Sequence, residues 1–155
     1  MIRKHLIIFV VSLMGFVGAT QAYSQDLIFK ENNRIMVVSL EELRRLANEE
    51  VTRYAPFRRK EVTFRGYYLA QLLESRFAYN AKDLRIEAID GYAVELKDWD
   101  RNNWFLVTHE DGEPLTLRNH GPLRLIEVDT ADRSPTNLSL YDDWIWMIRS
   151  IEVLR

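Results

Sequence analysis

Apolar and polar residues change rhythm several times along this chain, and each change predicts an element. Asp26 to Phe29 predicts a short first strand. Ser39-Leu40-Glu41-Glu42 has the form of a capping box, with a serine oxygen for an exposed N–H and a glutamate reaching back. Leu40, Leu43, Leu46 and Ala47 recur at helical spacing and predict a helix from about Leu40 to Asn48, with Arg44 and Arg45 on its solvated face. From Glu61 the period becomes two. Val62 and Phe64 alternate with Thr63 and Arg65, a half-buried strand that Gly66 is expected to break. Leu69, Leu72 and Leu73 then predict a short amphipathic helix ending near Arg76.

Beyond it the strand rhythm returns. Leu84, Ile86 and Ala88 alternate with Arg85 and Glu87, and Asp90-Gly91 favours the positive φ angles of a two-residue hairpin turn leading into Tyr92 to Leu96. Trp104 to Thr108 and Leu123 to Val128 read as strands, with a turn at Glu110-Asp111-Gly112-Glu113. Ala131 to Thr136 reads as loop, Leu140 to Met147 as a helical turn, and Ser150 to Leu154 as a final strand. Short strands with two small helices predict an α+β class, a β-rich mixed fold.

The first 22 residues have a different character. Arg3, Lys4 and His5 precede a 13-residue apolar run, Leu6 to Gly18, broken only by Ser12, and Thr20-Gln21-Ala22 follows as a small-x-small site. That order predicts a cleaved secretory signal over residues 1–22 and a periplasmic mature protein of residues 23–155. The run is shorter than the roughly 20 residues a membrane-spanning helix needs. The mature length suits one domain. Two basic residues and no acid lie before Tyr23, so the net charge goes from −2 to −4 on cleavage. No basic patch stands out on that background, which argues against nucleic acid as a partner.

Chemical signals are sparse. No Gly-x-Ser-x-Gly elbow, Walker-type phosphate loop or dinucleotide fingerprint occurs, so nothing points to catalysis by the chain itself. His109 and His120 are 11 apart without cysteine support, outside the usual clustered zinc spacing.

Five segments in order carry a resemblance: Phe64-Arg65-Gly66-Tyr67-Tyr68-Leu69-Ala70-Gln71-Leu72-Leu73, Asp90-Gly91-Tyr92-Ala93-Val94, Asp111-Gly112-Glu113-Pro114-Leu115, His120-Gly121-Pro122-Leu123-Arg124-Leu125, and Trp144 to Val153. From Val62 to Val153 the chain resembles the molybdopterin-binding domain of the sulfite oxidase family, whose enzymes hold molybdenum through a cysteine thiolate. This chain has no cysteine, and a thiolate is the soft ligand such a site is built around. It is instead similar to the small exported proteins of that fold that bind a reduced pterin without metal. The resemblance implies a ligand-loaded partner for the outer, periplasmic domain of a membrane-bound receptor bearing diguanylate cyclase and cyclic-di-GMP phosphodiesterase domains. The alternative is a molybdopterin-dependent oxidoreductase-like protein that has lost its cysteine ligand. A third reading is an interaction module with an empty pocket.

A pterin needs an aromatic or apolar wall for its face and a few fixed polar groups for its edge. Trp99 and Trp104 flank a polar stretch, which makes Trp99 a candidate stacking platform with Asp98 or Asp100 beside it as an acceptor; Trp104 either joins it or starts a buried strand. Within Arg118-Asn119-His120-Gly121-Pro122-Leu123-Arg124, Gly121 would let the backbone approach a ligand and Arg124 would supply a fork of donors. Arg118, Asn119 and His120 add hydrogen-bonding groups. Asp143, next to Asp142, either favours a helix start or faces the pterin edge. Tyr67, Tyr68, Phe77 and Tyr79 are candidates for an exposed contact patch or for partial burial.

Overall fold

The computed structural model describes residues 26–75, 83–97, 99 and 103–154. The leader and its cleavage site, Asp98, Asp100, Phe77 and Tyr79 lie outside the described residues. Among the described residues, ten strands form two sheets. In the first, β1 (Leu27–Glu31) pairs antiparallel with β2 (Arg34–Val38) and parallel with β10 (Ile148–Leu154); β10 continues to β5 (Asp83–Ala88), and β5 to β6 (Ala93–Lys97). In the second, β3 (Glu49–Ala55), β4 (Lys60–Tyr68) and β7 (Trp104–Glu110) run antiparallel in that order, and β7 also pairs with β8 (Glu113–Pro114) and β9 (Arg124–Glu127). Helix α1 (Leu40–Leu46) joins the sheets and α2 (Leu69–Glu74) follows β4 directly. Strands outweigh helices throughout, so β-rich describes the fold better than α+β.

Alternation works where one face is covered. Leu84, Ile86 and Ala88 of β5 are buried and their neighbours are not. Strand β7 does not alternate, because Trp104 to His109 are all buried between covered faces. Trp99 and Trp104 belong to the same connected core as Phe29, Phe64, Phe105 and Ile151. The predicted cap is present: Ser39 Oγ accepts from Glu42 N at 3.0 Å, though the helix ends at Leu46.

Four expectations need correcting. Gly66 does not break its strand; β4 runs through it with a register shift at Arg65/Gly66. A Cβ there would sit 1.9 Å from Leu106 O, so only glycine allows β7 to come this close. The turn after β5 is wider than two residues, since pairing stops at Glu87–Ala93. The two-residue turn is instead Asp111-Gly112, both at positive φ, between paired Glu110 and Glu113. Leu140 to Met147 is not one helical turn: a 3-10 turn covers Leu138–Tyr141, Asp142 and Asp143 continue as a turn, and Trp146 then bridges to Arg124. Strands β2 and β3 fall where the sequence suggested none.

Candidate functional site

The site starts from a short turn. Arg58 N and Arg59 N both donate to Ala55 O, at 2.9 and 2.8 Å, which folds residues 56–59 tightly between β3 and β4. This turn holds Phe57 and Arg58 at the end of the second sheet. Arg58 Nε donates to Glu110 Oε1 at 2.7 Å and its Nη2 to Glu110 Oε2 at 3.0 Å. Glu110, at the end of β7, also accepts from Arg124 Nη1 at 3.2 Å. Both guanidinium groups donate to Asn119 O, at 3.0 Å from Arg58 and 2.7 Å from Arg124. Arg124 is buried, and its Nε has no hydrogen-bond partner. Burial lowers its pKa to about 10 against the opposing pull of Glu110.

Aromatic rings lie beside this cluster. His120, at positive φ, stacks on Trp146 with centroids 4.4 Å apart and planes 30° apart. Partial desolvation, with Arg124 and Arg58 adding to it, shifts the imidazole of this exposed residue below the usual histidine range. Phe57 meets Trp146 at 5.1 Å, and Trp144 and Tyr141 each at 6.5 Å. Phe57, Tyr92, Tyr141, Trp144 and Trp146 line a cleft of about 340 Å³, within the roughly 300–1,000 Å³ of small-molecule sites. Asp90 and Asp142 also line it, and Tyr92 Oη donates to Asp142 O at 3.0 Å. A separate small void of about 10 Å³, with room for about one water, lies against the same Phe57, Trp144 and Trp146 and is also lined by His120, Arg58 and Arg124.

The wall is braced from behind. Trp144 Nε1 donates to Glu127 Oε2 at 3.2 Å, and Arg133 pairs with the same oxygen. Arg53 lies 5.5 Å over the Trp144 ring while donating to Glu127 O and Val128 O.

The structure brings together only some of the expected residues. His120 and Arg124 are in the site, and Asn119 contributes through its carbonyl. Arg118 is exposed and does not line the cleft. Gly121 makes its close approach to its own chain: a Cβ would meet Leu115 at 2.6–2.7 Å, and Gly121 N donates to Thr116 O at 2.7 Å. Trp99 is 2% exposed, which makes it core, not a platform. Trp104 is core as well. Asp143 is half-buried and does not line the cleft; its neighbour Asp142 does. Burial pushes the Asp143 carboxyl up, and its Oδ1 has no partner. Tyr67 donates from Oη to Leu43 O at 2.6 Å and Tyr68 packs edge-on against Phe105, so both are partly buried.

No family model matches the chain, and no curated protein matches it. Among solved structures, the sulfane dehydrogenase SoxCD from Paracoccus pantotrophus is similar, with a TM-score of 0.60 and 16% identity. The fold is sulfite oxidase-like. The match covers 83% of this chain but 37% of that one, so this chain spans little more than a third of the enzyme's length. At this identity the likeness bears on the fold alone, and it fits the molybdopterin-binding architecture that the five motifs suggest.

The residues present do not fit a thiolate-held molybdenum, since the chain has no cysteine. They fit a planar heterocycle better. Aromatic faces offer stacking, and the buried Arg124 Nε offers a donor that nothing else takes up.

Proposed function

We propose that this protein binds a reduced pterin in the Phe57–Trp146 cleft and acts as a binding protein, not an enzyme. The observation that carries the reading is an aromatic cleft that shares the walls Phe57, Trp144 and Trp146 with a small cationic void, where Arg124 Nε lacks a partner. A pterin's pyrimidine edge carries an amino group and a ring N–H that donate, with an exocyclic carbonyl oxygen beside them that accepts. Asp90 and Asp142 at the open side suit the donors, and Arg124 at the small void suits the acceptor. The same two carboxylates disfavour the phosphate of a molybdopterin, because like charges oppose its approach. That favours a simple pterin over the oxidoreductase-like alternative.

Our reading of the leader puts the loaded protein in the periplasm, where it would meet the outer domain of a membrane receptor that controls cyclic-di-GMP. Occupancy can shift such a receptor only if the loaded surface binds its two states with different affinity.

Anaerobic titration of the purified protein with a reduced pterin, followed by tryptophan fluorescence, tests the binding. Saturable quenching is expected, weakened roughly tenfold in Trp146→Ala, since a lost aromatic pair is worth about 0.5–1.5 kcal/mol beyond its area. No saturable binding up to millimolar pterin would overturn the reading. Stoichiometric molybdenum in protein from its native compartment would favour the alternative.

A further inference from the structure

A second set of charged groups lies on the other side of β4 and β7. Their register pairs Phe64 with Glu110 and Arg65 with His109, and adjacent pairs point to opposite faces of a sheet. Glu110 serves the cleft. Arg65 and His109 face away from it, toward the side where Arg44 of α1 reaches the segment after β8 and donates to Leu115 O.

These three groups are poorly compensated. Arg44 Nε and Arg65 Nε are both buried atoms without a hydrogen-bond partner. Among the described residues no ion pair involves either guanidinium. His109 is 6% exposed. Its Nδ1 lies 2.8 Å from Thr108 Oγ1, whose own hydrogen goes to Arg65 O at 3.1 Å. So Nδ1 donates to Thr108, and Nε2 is left to take up a proton when a negative charge arrives. Burial first, then Arg65 and Arg44, hold the imidazole below the usual histidine range, while Glu113 on β8 pulls the other way. Two cations and a histidine held neutral, on three different elements, make a place whose neighbouring acids, Glu50 opposite Arg65 in the sheet and Glu113 on β8, form no ion pair with either guanidinium.

We propose that Arg44, Arg65 and His109 form an oxyanion site, separate from the cleft, that takes a small tetrahedral anion such as sulfate or phosphate. Two arginine forks suit an ion with several oxygens. Binding carries a proton onto His109, so affinity rises as pH falls through the histidine's range.

The mature protein is titrated at pH 6 with sodium sulfate and, separately, sodium phosphate, against sodium chloride at matched ionic strength. Melting temperature and the His109 ring proton resonances are followed. Sulfate stabilises folded proteins generally, so saturation and the variants decide. The expected result is a saturable shift of the His109 resonances, an upward move of its titration midpoint with the oxyanion, and at least fivefold weaker binding in Arg65→Gln. Arg65→Lys should recover part of the loss. The arm with the lower dissociation constant identifies the ion. Should Arg65→Gln fail to fold, Arg44→Gln and the wild-type resonances make the same test. Equal responses to all three salts, or a variant that binds as wild type does, would overturn the proposal while leaving the pterin cleft untouched.

Discussion

Replacing Glu110 by glutamine tests the cationic cluster beside the cleft most directly. One carboxylate, 10% exposed, holds Arg58 and the buried Arg124, whose side chain is 7% exposed. Without its charge, Arg124 keeps Asn119 O, which it shares with Arg58. Removing one partner of a buried ion pair costs about 3–5 kcal/mol. Glutamine keeps an acceptor and Arg58 is partly solvated, so about 2–3 kcal/mol is expected. For a chain of this size that is a fall of roughly 8–12 °C in melting temperature. Urea unfolding gives the free energy directly.

A second signature separates electrostatics from packing. The folded-state pKa of Arg124, about 10, lies below that of the unfolded chain, and losing Glu110 lowers it further. The unfolded state then binds more protons, so stability rises with pH through that window. The difference between variant and wild type should therefore narrow from pH 8 to pH 10. Lys60→Met is the control, because its bridge to the adjacent Asp111 joins side chains that are 57% and 46% exposed, and such pairs contribute little. A Glu110→Gln loss under about 1 kcal/mol with no pH dependence would refute the reasoning and mean that water already satisfies the pair.

Two further outcomes bear on residues the sequence favoured. Trp99→Ala should cost about 3–5 kcal/mol, as for a large core truncation, and leave pterin affinity in the surviving folded protein unchanged; weakened binding without a stability loss would return Trp99 to the site. Asp143→Asn should raise the melting temperature at pH 7, because the folded-state carboxyl titrates above its unfolded value and its charged form is the costly one. That gain should fade as pH falls through the raised folded-state pKa and be gone below about 4, the unfolded carboxylate range, and a gain independent of pH would exclude the charge as its cause.

Legibility in the sequence followed local physics. Helix α1, its serine cap, β5 and the second Asp-Gly turn declared themselves through near-neighbour patterns. Strand β2 did not, because it is an edge with Ile35 and Val37 exposed. Nor did β3, where Glu50, Thr52 and Tyr54 face solvent. Both look polar or irregular until their partners are known. Gly66 read as a break because a glycine needed for a turn and one needed for close approach look alike in a sequence. Trp99 misled for a related reason: polar neighbours suggested an exposed loop, yet the indole turns inward.

The site was half legible. The His120–Arg124 segment was found through its resemblance, but most of the fork of donors expected of Arg124 is engaged within the protein. Its charge is committed to Glu110, 14 residues away, and through it to Arg58, 52 residues from that acid. Phe57 and Arg58 carried one available signal, an aromatic beside three consecutive basic residues after Pro56. Asp142 was weighed with Asp143, and only burial decides between them.

The parts of the molecule that build the cleft have the least regular structure, yet each is tied to a ladder. Phe57 rides on the turn closed on Ala55 O, and Trp146 is bridged to Arg124. His120 is held by its N–H to Leu117 O and by the close seat of Gly121 on Leu115. A wall anchored this way is already in place before a ligand arrives, so little ordering has to accompany binding. Its two sides differ in sign: Arg58 and Arg124 outweigh Glu110 at the small void, and Asp90 and Asp142 are acidic at the open side. A flat ligand stacked on Trp146 can turn over without losing apolar contact, but not without exchanging those sides. On the proposed reading, aromatic faces would supply affinity for almost any planar ring, and the charge difference along the cleft would give a pterin one orientation.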